Sequence, residues 1–174
     1  MELKQVEVYN FEELSDSVKE KVLNKFREQN DYYFLEGNLN EELNLLLEKH
    51  KIKQLEAPAL RYSLSYSQGD GVSFIGRFEF KGYFVRVNLG HLSNLYSHSR
   101  TTDISIEADD DHNGDITEEL QEINEEEFKN IYYEICDELE KIGYSHIEAE
   151  DDDETIKEDI RANEYKFLAN GDIF

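Results

Sequence analysis

Residues 101–174 carry 26 carboxylates against five lysines and arginines, whereas residues 1–100 carry 15 against 13. That imbalance constrains the fold more than any other feature of the chain. A helix or strand in the second half must turn its apolar residues inward and leave its carboxylates in water, because an unpaired buried charge is strongly destabilising. Between Arg100 and Lys129 there are 12 acids and no Lys or Arg. The formal net charge of −23 opposes compaction by self-repulsion. A compact state therefore needs a substantial core. The 174 residues, 39% hydrophobic with 10 Phe and 11 Tyr, supply one and exclude a disordered composition. The length predicts a single domain over residues 1–174.

Local patterns predict an α+β fold, with an antiparallel meander of about four strands packed against N-terminal and C-terminal helices. Val6 and Val8 alternate with polar residues as a short strand or arm. Ser15 is a suitable N-cap for a helix whose apolar stripe is Val18, Val22 and Phe26, running to about Asn30. A second helix is expected over roughly 39–50, where Leu43, Leu46 and Leu47 share a face. Pro58, the only proline, breaks the chain there. Leu60, Tyr62, Leu64 and Tyr66 then alternate with polar residues, as do Tyr83, Val85, Val87 and Leu89. Between them, Val72, Phe74, Phe78 and Phe80 form the middle strand, joined to the first by a glycine-rich turn, and Ile104, Ile106 and Ala108 suggest a fourth. Asn124, with Glu127 three residues on, resembles a capping box opening a helix striped by Phe128, Ile131, Tyr132, Ile135, Leu139 and Ile142, with Gly143 as its C′ residue. A short helix over 156–162 and a small hairpin around Asn170-Gly171 close the chain.

Candidate sites divide by chemistry. Asp109, Asp111 and Asn113, with Gly114 at the sixth place, resemble the start of an EF-hand loop. Leu120 then stands where the bidentate Glu belongs, and an acidic turn between strand and helix accounts for the run equally well. These three are weak metal candidates, and no metal or other cofactor is expected. The turn at Gln68, Gly69, Asp70 and Gly71 lacks nucleotide-loop spacing and reads as a hairpin turn with glycine at positive φ, its tip available for recognition. His50, His91, His98, His112 and His146 show no paired-ligand spacing, and the His98 neighbourhood has no nucleophile motif, so it reads as an exposed loop. No catalytic residue is expected. Cys136, the single cysteine, reads as a small apolar residue in the helical stripe. No apolar run reaches the about 20 residues of a membrane span and the N-terminus has no signal pattern, so a cytoplasmic location is expected.

The one-sided carboxylates remain. Asp109, Asp110, Asp111, Asp115, Glu118, Glu119, Glu122, Glu125, Glu126, Asp151, Asp152, Asp153 and Glu154 are the candidate partner-binding residues. A merely solvated face interleaves Lys with Glu, as the first helix does, and this half does not. Such a surface repels nucleic acid and anionic membranes and attracts a basic protein. Carboxylates in ordered rows can stand in for the phosphates that Lys and Arg of a nucleic-acid-binding protein contact.

Three segments carry a family resemblance: Phe11-Glu12-Glu13-Leu14-Ser15 with Lys19; Ser67-Gln68-Gly69-Asp70-Gly71 with Phe74 and Gly76; and Asn163-Glu164-Tyr165-Lys166-Phe167 before Gly171. Together they resemble a family of small acidic phage and prophage proteins, sometimes labelled antitoxins of a toxin–antitoxin stability system. Tyr66 stands where those relatives often carry Trp. The resemblance implies a phage or mobile-element origin and action in the host cytoplasm. It brings no catalytic residues. With the charge, it sets the expectation of a non-enzymatic inhibitor of a host nucleic-acid-targeting enzyme, of the anti-CRISPR or anti-restriction kind. The alternatives are an antitoxin or regulator neutralising a basic toxin, and a cation-binding protein using the Asp109–Asp115 loop.

Overall fold

The computed structural model describes residues 6–92, 95–107 and 118–174, with side chains along the last long helix from residue 122 onward. The chain is α+β and divides into two compact units, residues 1–33 with 145–174, and residues 34–144.

The first unit pairs α1 (Asp16–Glu28) with α4 (Asp153–Ala162). Ser15 occupies the N-cap position of α1, where its carbonyl accepts from Val18 and Lys19 N–H while its hydroxyl makes no cap bond. Val22 and Leu23 of α1 meet Ile156 and Ile160 of α4 over Phe11, Leu14 and Phe167, with Val18 and Phe26 packed at the margin. The expected N-terminal strand is reduced to a single bridge, Tyr9 to Phe167, and the expected terminal hairpin to a bridge between Phe167 and Ile173. Arg161 holds Glu12 at 2.9 Å and Lys25 holds Asp172 at 3.2 Å, and Arg27 pairs with Asp153.

The second unit is a five-stranded antiparallel sheet with α2 (Leu35–Lys49) and the first 27 residues of α3 (Glu118–Glu150). β2 (Ala59–Ser63), β3 (Gly71–Phe80), β4 (Tyr83–Leu89) and β5 (Thr102–Ile106) follow the expected meander. Lys81 and Gly82 both adopt positive φ (52° and 86°), the two-residue turn whose twist suits a hairpin. A two-residue β1 (Lys53–Gln54) adds to β3 and was not legible, being too short to show a period. Leu55 N–H to the Arg77 carbonyl (3.0 Å) extends that ladder up to the break at Pro58.

One sheet face buries Val72, Phe74, Phe78, Phe80, Val85 and Val87 beneath Phe128, Tyr132, Ile135 and Leu139 of α3. Phe74 and Tyr132 ring centroids lie 4.6 Å apart, Phe80 and Phe128 5.6 Å. Phe74 lies beyond the Gly76–Phe80 stretch that pairs with β4. The Tyr132 hydroxyl serves its backbone there, donating to the Phe74 carbonyl (3.1 Å) and accepting from the Phe74 N–H (3.2 Å). Burial pushes the Tyr132 phenol well above its ordinary range.

Two helix boundaries differ from expectation. α2 begins at Leu35, because Gly37 and Asn38 are weak helix formers that masked its first turn. α3 is 33 residues long, about 50 Å, so Asn124 and Gly143 are interior rather than terminal. Gly143 is present for space: a Cβ there would fall 2.3 Å from Leu64 Cδ1. Among the described residues, no helix is long and apolar enough to cross a membrane.

Candidate partner-binding surface

α3 turns Phe128, Tyr132, Ile135, Cys136, Leu139 and Gly143 inward, and the 3.6-residue repeat places the intervening positions outside. Glu122, Glu126, Glu134 and Asp137 form that outer row, all exposed, and none makes a salt bridge among the described residues. From Glu122 to Asp137 the row rises about 22 Å, in successive steps of about 6, 12 and 4.5 Å along the axis. Glu125 differs, being held by Lys129 at 2.6 Å. Cations of the N-terminal half reach other carboxylates: Lys81 holds Glu127 at 2.5 Å, Lys49 holds Glu138 at 3.4 Å, and Arg77 and Arg86 share Glu107 at 2.7 and 2.5 Å. Burial opposes ionisation of Glu107, but the two guanidiniums outweigh it and hold its carboxyl below the usual range.

The second acidic cluster lies in the other unit and is largely engaged locally. Asp151 accepts from the Tyr32 hydroxyl at 2.9 Å, and its carbonyl accepts from Arg27 Nε at 2.9 Å. Asp152 caps α4, accepting from Glu154 N–H at 2.9 Å, while Asp153 pairs with Arg27 and Glu154 with Lys157. Asp109, Asp110, Asp111, Asn113 and Asp115 lie outside the described residues, as do the side chains of Glu118 and Glu119. The calcium-loop reading therefore has no geometry attached to it.

The turn at Gln68–Gly71 is built differently from a simple glycine turn. Asp70 is its hub. Oδ2 accepts from Ser65 N–H (2.7 Å), Ser67 N–H (2.9 Å) and the Tyr144 hydroxyl (2.5 Å). Oδ1 accepts from the hydroxyls of Ser63 (3.0 Å), Ser65 (3.1 Å) and Ser67 (2.9 Å). Burial raises the Asp70 pKa, but these donors, Tyr144 foremost, more than reverse it and leave the carboxyl far below the carboxylate range. The Tyr144 phenol is pushed up to about 12, by burial and then by its bond to Asp70. β2 ends at Ser63 because the Ser65 and Ser67 amides turn to this carboxylate instead of a ladder.

Neither Gly69 nor Gly71 supplies positive φ; Tyr66 does, at 57°. The two glycines admit close neighbours instead. A Cβ at Gly69 would lie 2.7 Å from Tyr96 Cδ1, and one at Gly71 2.9 Å from His98 Cα. His98 is accordingly half-buried rather than exposed, and its Nδ1 accepts from Arg100 N–H at 3.1 Å. Of the four turn residues only Gln68 is exposed; the exposed tip includes Tyr66, whose ring meets that of Tyr144 at 4.7 Å between centroids, tilted by 37°. Sequence reasoning missed both tyrosines, since Tyr66 read as a strand residue and Tyr144 followed the supposed helix end. Cys136 packs as an apolar residue, with burial pushing its thiol well up.

The chain matches no protein-family model, no curated protein and no solved structure.

Proposed function

We propose that this chain is a non-enzymatic inhibitor that docks on a basic, nucleic-acid-targeting enzyme of its host, a CRISPR effector or restriction nuclease, by presenting carboxylates in place of phosphates. The observation that carries this reading is the outer row of α3: Glu122, Glu126, Glu134 and Asp137, exposed and without salt bridges among the described residues. A rigid helix holds these charges at fixed spacing, so docking sacrifices little conformational entropy. The pairs that Lys49, Lys81, Arg77 and Arg86 make trim the acidic excess but leave this row untouched. The resemblance to small acidic phage proteins supports a setting in an infected or lysogenic host.

Affinity purification from such a host, followed by titration of the recovered protein, tests the reading. Binding is expected to weaken by about tenfold or more between 50 and 300 mM salt. The partner's own nucleic acid should compete, and replacing the four row residues by Gln or Asn should slow association. A partner whose binding ignores both salt and nucleic acid refutes mimicry. Recovery of a basic toxin that binds no nucleic acid would favour the antitoxin reading instead.

A further inference from the structure

Charge in the second half explains attraction but not where a partner is gripped, and the Asp70 hub supplies a feature suited to grip. Tyr66 holds a left-handed backbone, φ 57°, a conformation unfavourable for a residue with a Cβ. Such strain persists only where the surroundings over-determine it, and it concentrates at sites of recognition. Here both flanks are fixed, because Ser65 and Ser67 donate their backbone N–H groups to Asp70. Tyr66 is 66% exposed as a residue although the backbone on both sides of it is tied down. Its inner face lies on Tyr144, centroid to centroid 4.7 Å.

The chemistry of that stack selects its ligand. Tyr144 donates its phenolic proton to an anionic carboxylate at 2.5 Å. A phenol so engaged pushes electron density into its ring, strengthening the negative π face that attracts cations. Glu140 sits one turn before Tyr144 on α3, adding a second negative charge beside the stack. The chain uses this pairing internally: Arg100 lies 5.1 Å over Tyr133 and Lys81 5.4 Å over Phe80.

We propose that the tilted Tyr66–Tyr144 ring pair, set on the Asp70 hub beside Glu140, is an arginine-binding platform that anchors the basic partner. The proposal rests on the docking reading above and adds the contact that orients it. Arginine is favoured over lysine because a planar guanidinium stacks on an aromatic face and sheds its hydration more readily. A rigid aromatic presented this way is the type of residue that dominates interface energetics, while the α3 carboxylates govern the approach rate.

The test uses the full chain, isotope-labelled, titrated with a capped peptide of four Gly-Arg repeats and with its Gly-citrulline counterpart. The latter keeps the shape of arginine and lacks its charge. At 0.3 M NaCl, where exposed ion pairs are screened, the arginine peptide should shift the amide signals of Ser65–Ser67 and Tyr144 saturably, and the citrulline peptide should not. Tyr66→Leu keeps an apolar side chain at the same backbone geometry and should raise the Kd at this locus roughly two- to fivefold. Tyr66→Phe should leave it near wild type. Equal response to citrulline, or an unchanged Kd in Tyr66→Leu, overturns the platform. Shifts confined to α3 overturn the platform while leaving the docking reading standing. Shifts at Ser65–Ser67 that persist after Glu122→Gln and Glu126→Gln support the platform independently of the α3 row.

Discussion

Replacing Asp70 by alanine removes the acceptor of six hydrogen bonds at once, and their surroundings set the size of the loss. Bonds to a charged group contribute about 1.5–3 kcal/mol when buried and much less where water can substitute. Ser65 and Ser67 are exposed, so water satisfies their amides and hydroxyls once the carboxylate is gone. The Tyr144 hydroxyl and Ser63 hydroxyl sit in half-buried positions and dominate. Two such bonds, discounted for partial exposure, predict a loss of about 2–3 kcal/mol, or a fall in Tm of about 5–10 °C for a chain of this size. Asp70→Asn should lose about half of that, since its oxygen can face the Ser65 and Ser67 N–H groups and the Tyr144 hydroxyl while its amide turns to the serine hydroxyls.

The pH dependence has a fixed sign. The Asp70 carboxyl is depressed in the folded state relative to an ordinary unfolded value near 3.9, so its contribution is complete above that value. It is lost as pH falls through about 4 towards the depressed folded value. The gap between wild type and Asp70→Asn should therefore be constant from about pH 5 to 8, begin to narrow near pH 4 and go on narrowing as the pH falls further. Urea unfolding followed by circular dichroism at pH 7 and at pH 3.5 measures both. An alanine variant within about 0.5 kcal/mol of wild type, or a gap that widens on acidification, would refute the hub as a stabilising element.

Three further outcomes follow from the packing. Tyr132→Phe leaves the buried Phe74 N–H and carbonyl without their shared partner, and should lower stability by about 1–3 kcal/mol in the same assay; a neutral result would mean the hydroxyl is dispensable. Gly143→Ala obliges the Leu64 side-chain tip to move, so the gain of about 1 kcal/mol expected from alanine's helix propensity should be largely cancelled. In a Leu64→Ala background that gain should reappear, and strict additivity of the two changes would sink the steric account. A single cooperative domain over 1–174 predicts coincident near- and far-ultraviolet unfolding transitions; two resolved transitions would divide it.

The amino-acid order alone determined what repeats locally. Alternation in Leu60–Tyr62, Val72–Phe80 and Tyr83–Leu89 marked strands, and the spacing of Phe128, Tyr132, Ile135 and Leu139 marked the buried side of α3, because a side chain's direction is set by its own backbone period. The same order placed the acidic excess, but of the carboxylate row it singled out only Glu122 and Glu126; Glu134 and Asp137 stood out only once the buried side of α3 was known. Tertiary structure decided everything that depends on a meeting between distant segments. Asp70 and Tyr144 are 74 positions apart, Phe74 and Tyr132 are 58 apart, and Gly143 is intelligible only once Leu64 lies against it. Gly143 carries the local signature of a helix stop, yet α3 continues through it, and the Leu64 side chain takes up the space that a Cβ there would fill. Tyr66 likewise carries the local signature of a strand, and leaves it because a carboxylate four residues onward claims the amides on either side.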